Sequence, residues 1–162
     1  MSGSEIGEAG GVRPMRPGEE EAVIAVWQAA GLLRPWNDPM ADIAFCQASG
    51  HGAVLVLPGA DGGPGAIAAA VMVGHDGHRG AVYYVAVDPG RRRAGLGRAL
   101  MAGAEAWLKT RGVWKLNLLV RADNRQVVRF YEAIGMAEGE RIYMEKWLDP
   151  APKGDAGSAP SP

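Results

Sequence analysis

The chain has 162 residues, a formal net charge of −1 and 48% hydrophobic content. That is about one domain's worth of chain with enough apolar material for a packed core, and nothing in its overall charge draws it to nucleic acid or an anionic membrane. Its one cysteine, Cys46, excludes an intrachain disulfide, and no apolar stretch approaches the ~20 residues that span a bilayer. With no basic-then-apolar start, a soluble cytoplasmic protein is expected. Its ends, residues 1–11 and 149–162, are rich in Gly, Ala, Ser and Pro and are expected to be disordered tails around a domain at 12–148.

A short extended piece at Val12–Met15 comes first. Glu19, Glu20 and Glu21 favour a helix start after Pro17-Gly18, and Val23, Trp27 and Ala30 recur at helical spacing before Gly31. A helix is predicted from about 18 to 30. In RPWNDP (34–39), Asp38-Pro39 pairs an N-cap residue with a proline at the first helical position, opening a second helix that runs to about Ala48. Ala53–Leu57 and Ala66–Val73 read as strands joined by DGGPG at 61–65. Gly74–Gly80 is a further turn into Ala81–Val87. That strand is apolar on both faces, so it is expected inside the sheet with both sides covered. A third helix follows from Gly95 to Thr110, with Leu96, Leu100, Ala104, Trp107 and Leu108 as its inward stripe. A strand at Val113–Val120, parallel to the preceding one, comes next. A fourth helix capped by Asp123 or Asn124 runs to about Ile134, and Arg141–Leu148 is the closing strand. The order β-α-α-β-β-β-α-β-α-β predicts an α/β fold with a mixed sheet, about six strands and four helices.

The most informative stretch is Ala81–Leu100. An apolar strand ends at Asp88-Pro89-Gly90, the arginines Arg91, Arg92 and Arg93 follow, and Gly95 and Gly97 open a helix. A helix that starts with glycines presents backbone N–H groups and a positive dipole end with no side chain in the way, which suits a phosphate. The dinucleotide fingerprint G-x-G-x-x-G/A fails because Leu100 stands at its small third position. The P-loop fails because Leu96 and Gly97 stand at its Lys and Ser/Thr positions. The competing structural account is that the glycines permit tight strand–helix packing and the arginines form a solvated rim.

Arg92-Arg93-Ala94-Gly95-Leu96-Gly97 matches the [QR]-x-x-G-x-[GA] acyl-CoA signature, and N-x6-Y-x3-G-M at Asn124–Met136 follows it. On these motifs the stretch from Val12 to Leu148 resembles the GNAT N-acetyltransferase superfamily. RPWNDP is similar to the YpeA-type subgroup of small bacterial acetyltransferases. The resemblance implies a GNAT-like acyl-CoA N-acyltransferase fold and acetyl-CoA as cofactor. Backbone groups of Val85, Ala86 and Val87 would then pair with the pantetheine arm, and the turn Arg92, Arg93, Ala94, Gly95, Leu96, Gly97 and Arg98 would hold the pyrophosphate. Asn124 would contact the pantetheine arm, and Tyr131, two helical turns on, would present its hydroxyl to the thiol sulfur as proton donor. The plain alternatives are an N-cap for Asn124 and a core tyrosine for Tyr131.

Many relatives carry a carboxylate base on the strand corresponding to Ala81–Val87, and this chain has none there. Asp38 and Asp42 are acids that act through water on this reading, with Trp36 and Asn37 shaping the acceptor pocket and Tyr83 or Tyr84 lining it. A plain N-cap role for Asp38 and a core role for Trp36 compete with this. The acceptor is an amine, on a small molecule such as an aminoglycoside or polyamine, or at a peptide N-terminus. A non-catalytic acyl-CoA-binding module is the rival reading. His75-x-x-His78 lacks a third ligand, so no metal is expected. Arg91–Arg93 is too short and too poor in aromatics for nucleic acid. GNAT relatives are often dimers, which leaves a homodimer open.

Overall fold

The computed structural model describes residues 11–59, 66–91 and 95–149. The chain divides into two compact units, one comprising residues up to Leu33 together with Asp38–Leu118, the other Arg34–Asn37 with the residues from Leu119 on. The expected connection at 61–65 and most of the two expected tails lie outside the described residues.

The first unit contains, in chain order, β1 (Arg13–Pro14), α1 (Glu20–Ala29), α2 (Pro39–Ala48), β2 (Gly52–Pro58), β3 (Ile67–His75), β4 (Gly80–Val87), α3 (Leu96–Lys109) and β5 (Leu116–Asn117). These strands form one five-stranded sheet in the order β1-β2-β3-β4-β5. All neighbours are antiparallel except β4 and β5, which run parallel as the helical crossover between them requires. The second unit contains α4 (Arg125–Ala133). The expected mixed α/β architecture and all four helices are present.

The helix starts follow from their first residues. Asp38 caps α2 by accepting the Ala41 N–H at 3.0 Å, with Pro39 at the first helical position. Glu19 precedes α1 but reaches backward instead, accepting two bonds from the Arg13 guanidinium at 2.7 and 2.9 Å and one from the Arg16 N–H. The Arg13 hydrogen bond is the main reason its carboxyl is held down to about 2, and the pair ties β1 to the start of α1. Trp27, Val23, Val26 and Ile43 then pack with Val54, Val56, Ile67, Ala70 and Ala86 in one apolar cluster.

β4 lies between β3 and β5, inside the sheet as expected, but β3 is the more completely enclosed strand. Ile67, Ala68, Ala69, Ala70, Val71 and Val73 are all buried, and β3 is paired along both edges. β4 has a strand beyond it only at Gly80↔Leu116 and Ala81↔Asn117, and Tyr83 is 56% exposed. Apolarity on two faces reports burial of faces and says nothing about edges, so the sequence pattern did not show how little of the outer edge of β4 is covered by β5. β5 is accordingly two residues long where Val113–Val120 was expected. The expected closing strand at Arg141–Leu148 forms no ladder among the described residues, and Ile142, Met144 and Leu148 are exposed. Its alternation is strand-like, but a strand exists only as part of a ladder, and the described residues supply none here.

α3 buries Leu100, Met101, Gly103, Ala104, Trp107 and Leu108, which includes four of the five residues of the expected stripe. A Cβ on Gly103 would meet Val12 Cγ1 at 2.5 Å and Val12 Cβ at 2.8 Å, so glycine is what lets the helix approach the β1 end of the sheet. Alanine gains about 1 kcal/mol of helix propensity here, but overpacking against a side chain fixed close to its backbone costs roughly 1–3 kcal/mol. Gly103→Ala is therefore expected to lower the urea unfolding midpoint. An equal or higher midpoint would contradict this close approach.

Candidate functional site

The amino end of α3 has the form an anion requires. Gly95 is its N-cap, at φ 95° and ψ −5°, and a Cβ there would touch nothing within 4 Å. The residue is thus glycine for its left-handed backbone and not for want of space. The first intrahelical bond runs from Ala99 N–H to the Gly95 carbonyl at 2.9 Å, so the amides of Leu96 and Gly97 have no intrahelical acceptor. No acidic residue lies in the first turn, and Arg98 is exposed beside it. The preceding turn, Pro89–Arg91, is fixed by the Asp88 carboxylate, which accepts the Gly90 N–H at 2.9 Å and pairs with Arg91. Arg91 also packs against Gly59. Arg92, Arg93 and Ala94 lie outside the described residues.

A second element lies in the same unit. After the Ala81↔Asn117 pair, Val82–Val87 have no strand on their outer side among the described residues. Val85 and Val87 are half-buried there and Ala86 is buried. An extended ligand with amide groups can add to such an edge as a further strand. A phosphate site at a helix start together with an open strand edge fits a ligand with a diphosphate and an amide-bearing arm, so the residues present suit coenzyme A.

β4 is irregular above that edge. Ala70 pairs with Ala86 and Met72 with Tyr83, so β4 carries one more residue than β3 between these pairs. Tyr84, in the extra stretch, is at φ 53°. Its ring stacks on Trp27 with centroids 4.3 Å apart and planes 16° from parallel, and its hydroxyl donates to Asp42 Oδ2 at 2.7 Å. Of the two adjacent tyrosines, Tyr84 turns to the core and Tyr83 to solvent. Asp38 is exposed, its carboxylate engaged as the α2 cap. In the sequence Trp27 is only part of a helix stripe. It is fully buried, and its Nε1 has no hydrogen-bond partner among the described residues, a property no sequence pattern signals.

In the second unit, Asn124 caps α4 by accepting the Val127 N–H at 3.4 Å, and it remains exposed. Tyr131 lies on the same helix and is buried, with Phe130 edge-on to it at 5.1 Å. Burial pushes its hydroxyl above the ordinary tyrosine range, so it keeps its proton at neutral pH. Trp36 is half-buried and Asn37 exposed, in a turn closed by the Asn37 N–H on the Arg34 carbonyl at 3.0 Å. Among the described residues no helix is long and apolar enough to cross a membrane.

Residues 22–136 match the acetyltransferase (GNAT) family. The chain is 42% identical over 137 residues to an acetyltransferase of Pectobacterium atrosepticum, covering 85% of this chain and 94% of that one. Its fold resembles aminoglycoside N-acetyltransferase AAC(6')-Iy, seen in complex with the bisubstrate analogue CoA-S-monomethyl-acetylneamine (TM-score 0.69, 16% identity, 84% of this chain and 96% of that chain). It is also similar to the ribosomal-protein-S18-alanine N-acetyltransferase of Escherichia coli (TM-score 0.65, 26% identity, 79% and 77%).

Proposed function

Because the chain belongs to the GNAT acetyltransferase family, we propose that it moves the acetyl group of acetyl-CoA to a primary amine by direct attack in a ternary complex. The observation that carries this reading is the left-handed Gly95 cap opening α3, in the same unit as the free edge of β4. Bound acetyl-CoA supplies a thioester, whose carbonyl carbon is the electrophile. The first-turn amides of α3 hold its diphosphate, with Arg92, Arg93 and Arg98 adding cationic donors. The backbone of Val85–Val87 pairs with the pantetheine amides, and Asn124 contacts the same arm by its place in the motif. Tyr131, in the motif's second position, donates its proton to the departing sulfur.

The acceptor must reach the site as a neutral amine. β4 carries no carboxylate from Ala81 to Val87, Asp38 is engaged as a cap and Asp42 by Tyr84. We assign the deprotonation to water. Trp36, Asn37, Asp38 and Tyr83 are the residues assigned to the acceptor by their places in the sequence. RPWNDP at 34–39 supports assignment to the YpeA-type subgroup, and the compartment on this reading is the cytoplasm.

The named neighbours act on an aminoglycoside and on a protein's alanine, which supports two acceptor classes, polycationic small amines and peptide N-termini. A thiol-release assay with acetyl-CoA against aminoglycosides, polyamines and alanine-starting peptides tests the reading. Thiol release dependent on one amine class is the expected result. Calorimetric binding of acetyl-CoA without release from any amine would favour the acyl-CoA-binding module, which the missing β4 carboxylate motivates. No binding at all would remove the acyl-transfer reading.

A further inference from the structure

We propose that Asp42 is a positioning residue, which through Tyr84 fixes the register of the free edge of β4. The inference rests on reading that edge as the acyl-donor edge, and it adds what determines the edge's hydrogen-bonding pattern.

Along a strand, successive residues turn their N–H and C=O groups alternately toward opposite edges. One extra residue inverts that alternation for everything beyond it. Between Met72↔Tyr83 and Ala70↔Ala86, β4 has such a residue, so the bulge decides which groups of Val85, Ala86 and Val87 face β3 and which face outward. It also lies after Ala81↔Asn117, the last pair that β5 makes with β4. An unbulged β4 would present the opposite set of groups on the open side.

The bulge is not a conformation that Tyr84 adopts of its own accord. An aromatic residue at φ 53° is strained, and Tyr84 is the one non-glycine residue with positive φ among the described residues. Two contacts hold it there. Trp27, fully buried in α1, provides a flat floor for the ring. Asp42 on α2 accepts from the phenol at 2.7 Å, across 42 positions of sequence. The floor alone lets a ring slide or turn on it, whereas the charge-assisted hydrogen bond fixes the ring's far end. Asp42 thereby links the helix that follows the RPWNDP segment to the strand edge.

The test compares Asp42→Ala, Asp42→Asn and Tyr84→Phe by coenzyme A calorimetry and by amide hydrogen exchange of the unliganded protein. Asparagine retains a carbonyl oxygen that can accept from the phenol. Asp42→Ala and Tyr84→Phe are expected to weaken coenzyme A binding about tenfold or more and to speed exchange at Val85–Val87, with Asp42→Asn restoring much of both. Undiminished affinity and unchanged exchange in Asp42→Ala overturn the proposal. So does an asparagine variant as impaired as the alanine one, because the effect would then belong to charge and not to the hydrogen bond. If Asp42→Ala fails to fold, Tyr84→Phe, which keeps the stacked ring, carries the comparison. If the wild-type protein does not bind coenzyme A, the donor-edge reading falls by itself, and exchange at Val85–Val87 still decides whether Asp42 holds the bulge.

Discussion

Replacing Gly95 with aspartate is expected to remove most of the affinity for coenzyme A while leaving the fold intact. Aspartate is among the preferred N-cap residues and tolerates left-handed backbone better than most side chains. Its cap hydrogen bond offsets roughly 1 kcal/mol of left-handed strain, so the unfolding free energy should move little. Its carboxylate, however, would stand where the diphosphate is held. Two like charges ~4 Å apart near a protein surface repel by about 4 kcal/mol, close to three decades in dissociation constant before salt screening reduces it. Gly95→Ala is the necessary comparison. Alanine pays the backbone strain without the cap or the charge, so it should lose about 1–2 kcal/mol of stability and comparatively little affinity. If Gly95 serves only to turn the chain, the ranking reverses and alanine becomes the more damaging substitution. Calorimetry at low and high salt separates the two accounts, because only charge repulsion weakens as salt rises.

Much of this arrangement is written in local sequence. The Asp38-Pro39 start of α2, the glycines opening α3 and the Asn124 cap of α4 are signals carried by neighbouring residues, and each appears at its expected place. The placing of Asn124 and Tyr131 on one helical element likewise follows from spacing. What escapes is relational. Alternation in Arg141–Leu148 marks residues able to pair, but it cannot supply a partner. The apolar run Ala81–Val87 could not disclose that β5 would leave most of its outer edge open. The bulge is hidden more deeply, since an aromatic pair such as Tyr83-Tyr84 favours regular strand and its left-handed member contradicts that preference. Tertiary contacts from Trp27 and Asp42 override the local tendency, and neither residue stands near Tyr84 in sequence. Places where local preference and native backbone disagree are where function is most often found. The arginines Arg92 and Arg93 carry the clearest phosphate signal, yet they fall outside the described residues.

Tyr131→Phe should lower turnover by about two orders of magnitude or more with little change in acetyl-CoA affinity, the range typical of removing a general acid. Phenylalanine keeps the ring that is buried on α4 and deletes only the oxygen, so packing is preserved and a loss of rate cannot be ascribed to collapse of the helix. Burial raises the hydroxyl above its ordinary value near 10, and the direction matters. A donor must hold its proton when the sulfur departs, and a raised value keeps Tyr131 protonated through neutral pH. The rate therefore should not fall below pH ~10 on account of this group. With water taking the amine's proton, turnover at subsaturating acceptor should instead rise with pH until the acceptor's own amine is neutral. The phenylalanine variant should keep that rise at a lower rate, because the amine and the leaving group are governed by different residues. Unchanged turnover with a genuine acceptor would take Tyr131 out of the mechanism. A lowered rate whose pH dependence also shifted would instead make the tyrosine part of the acceptor's deprotonation and not of the sulfur's protonation.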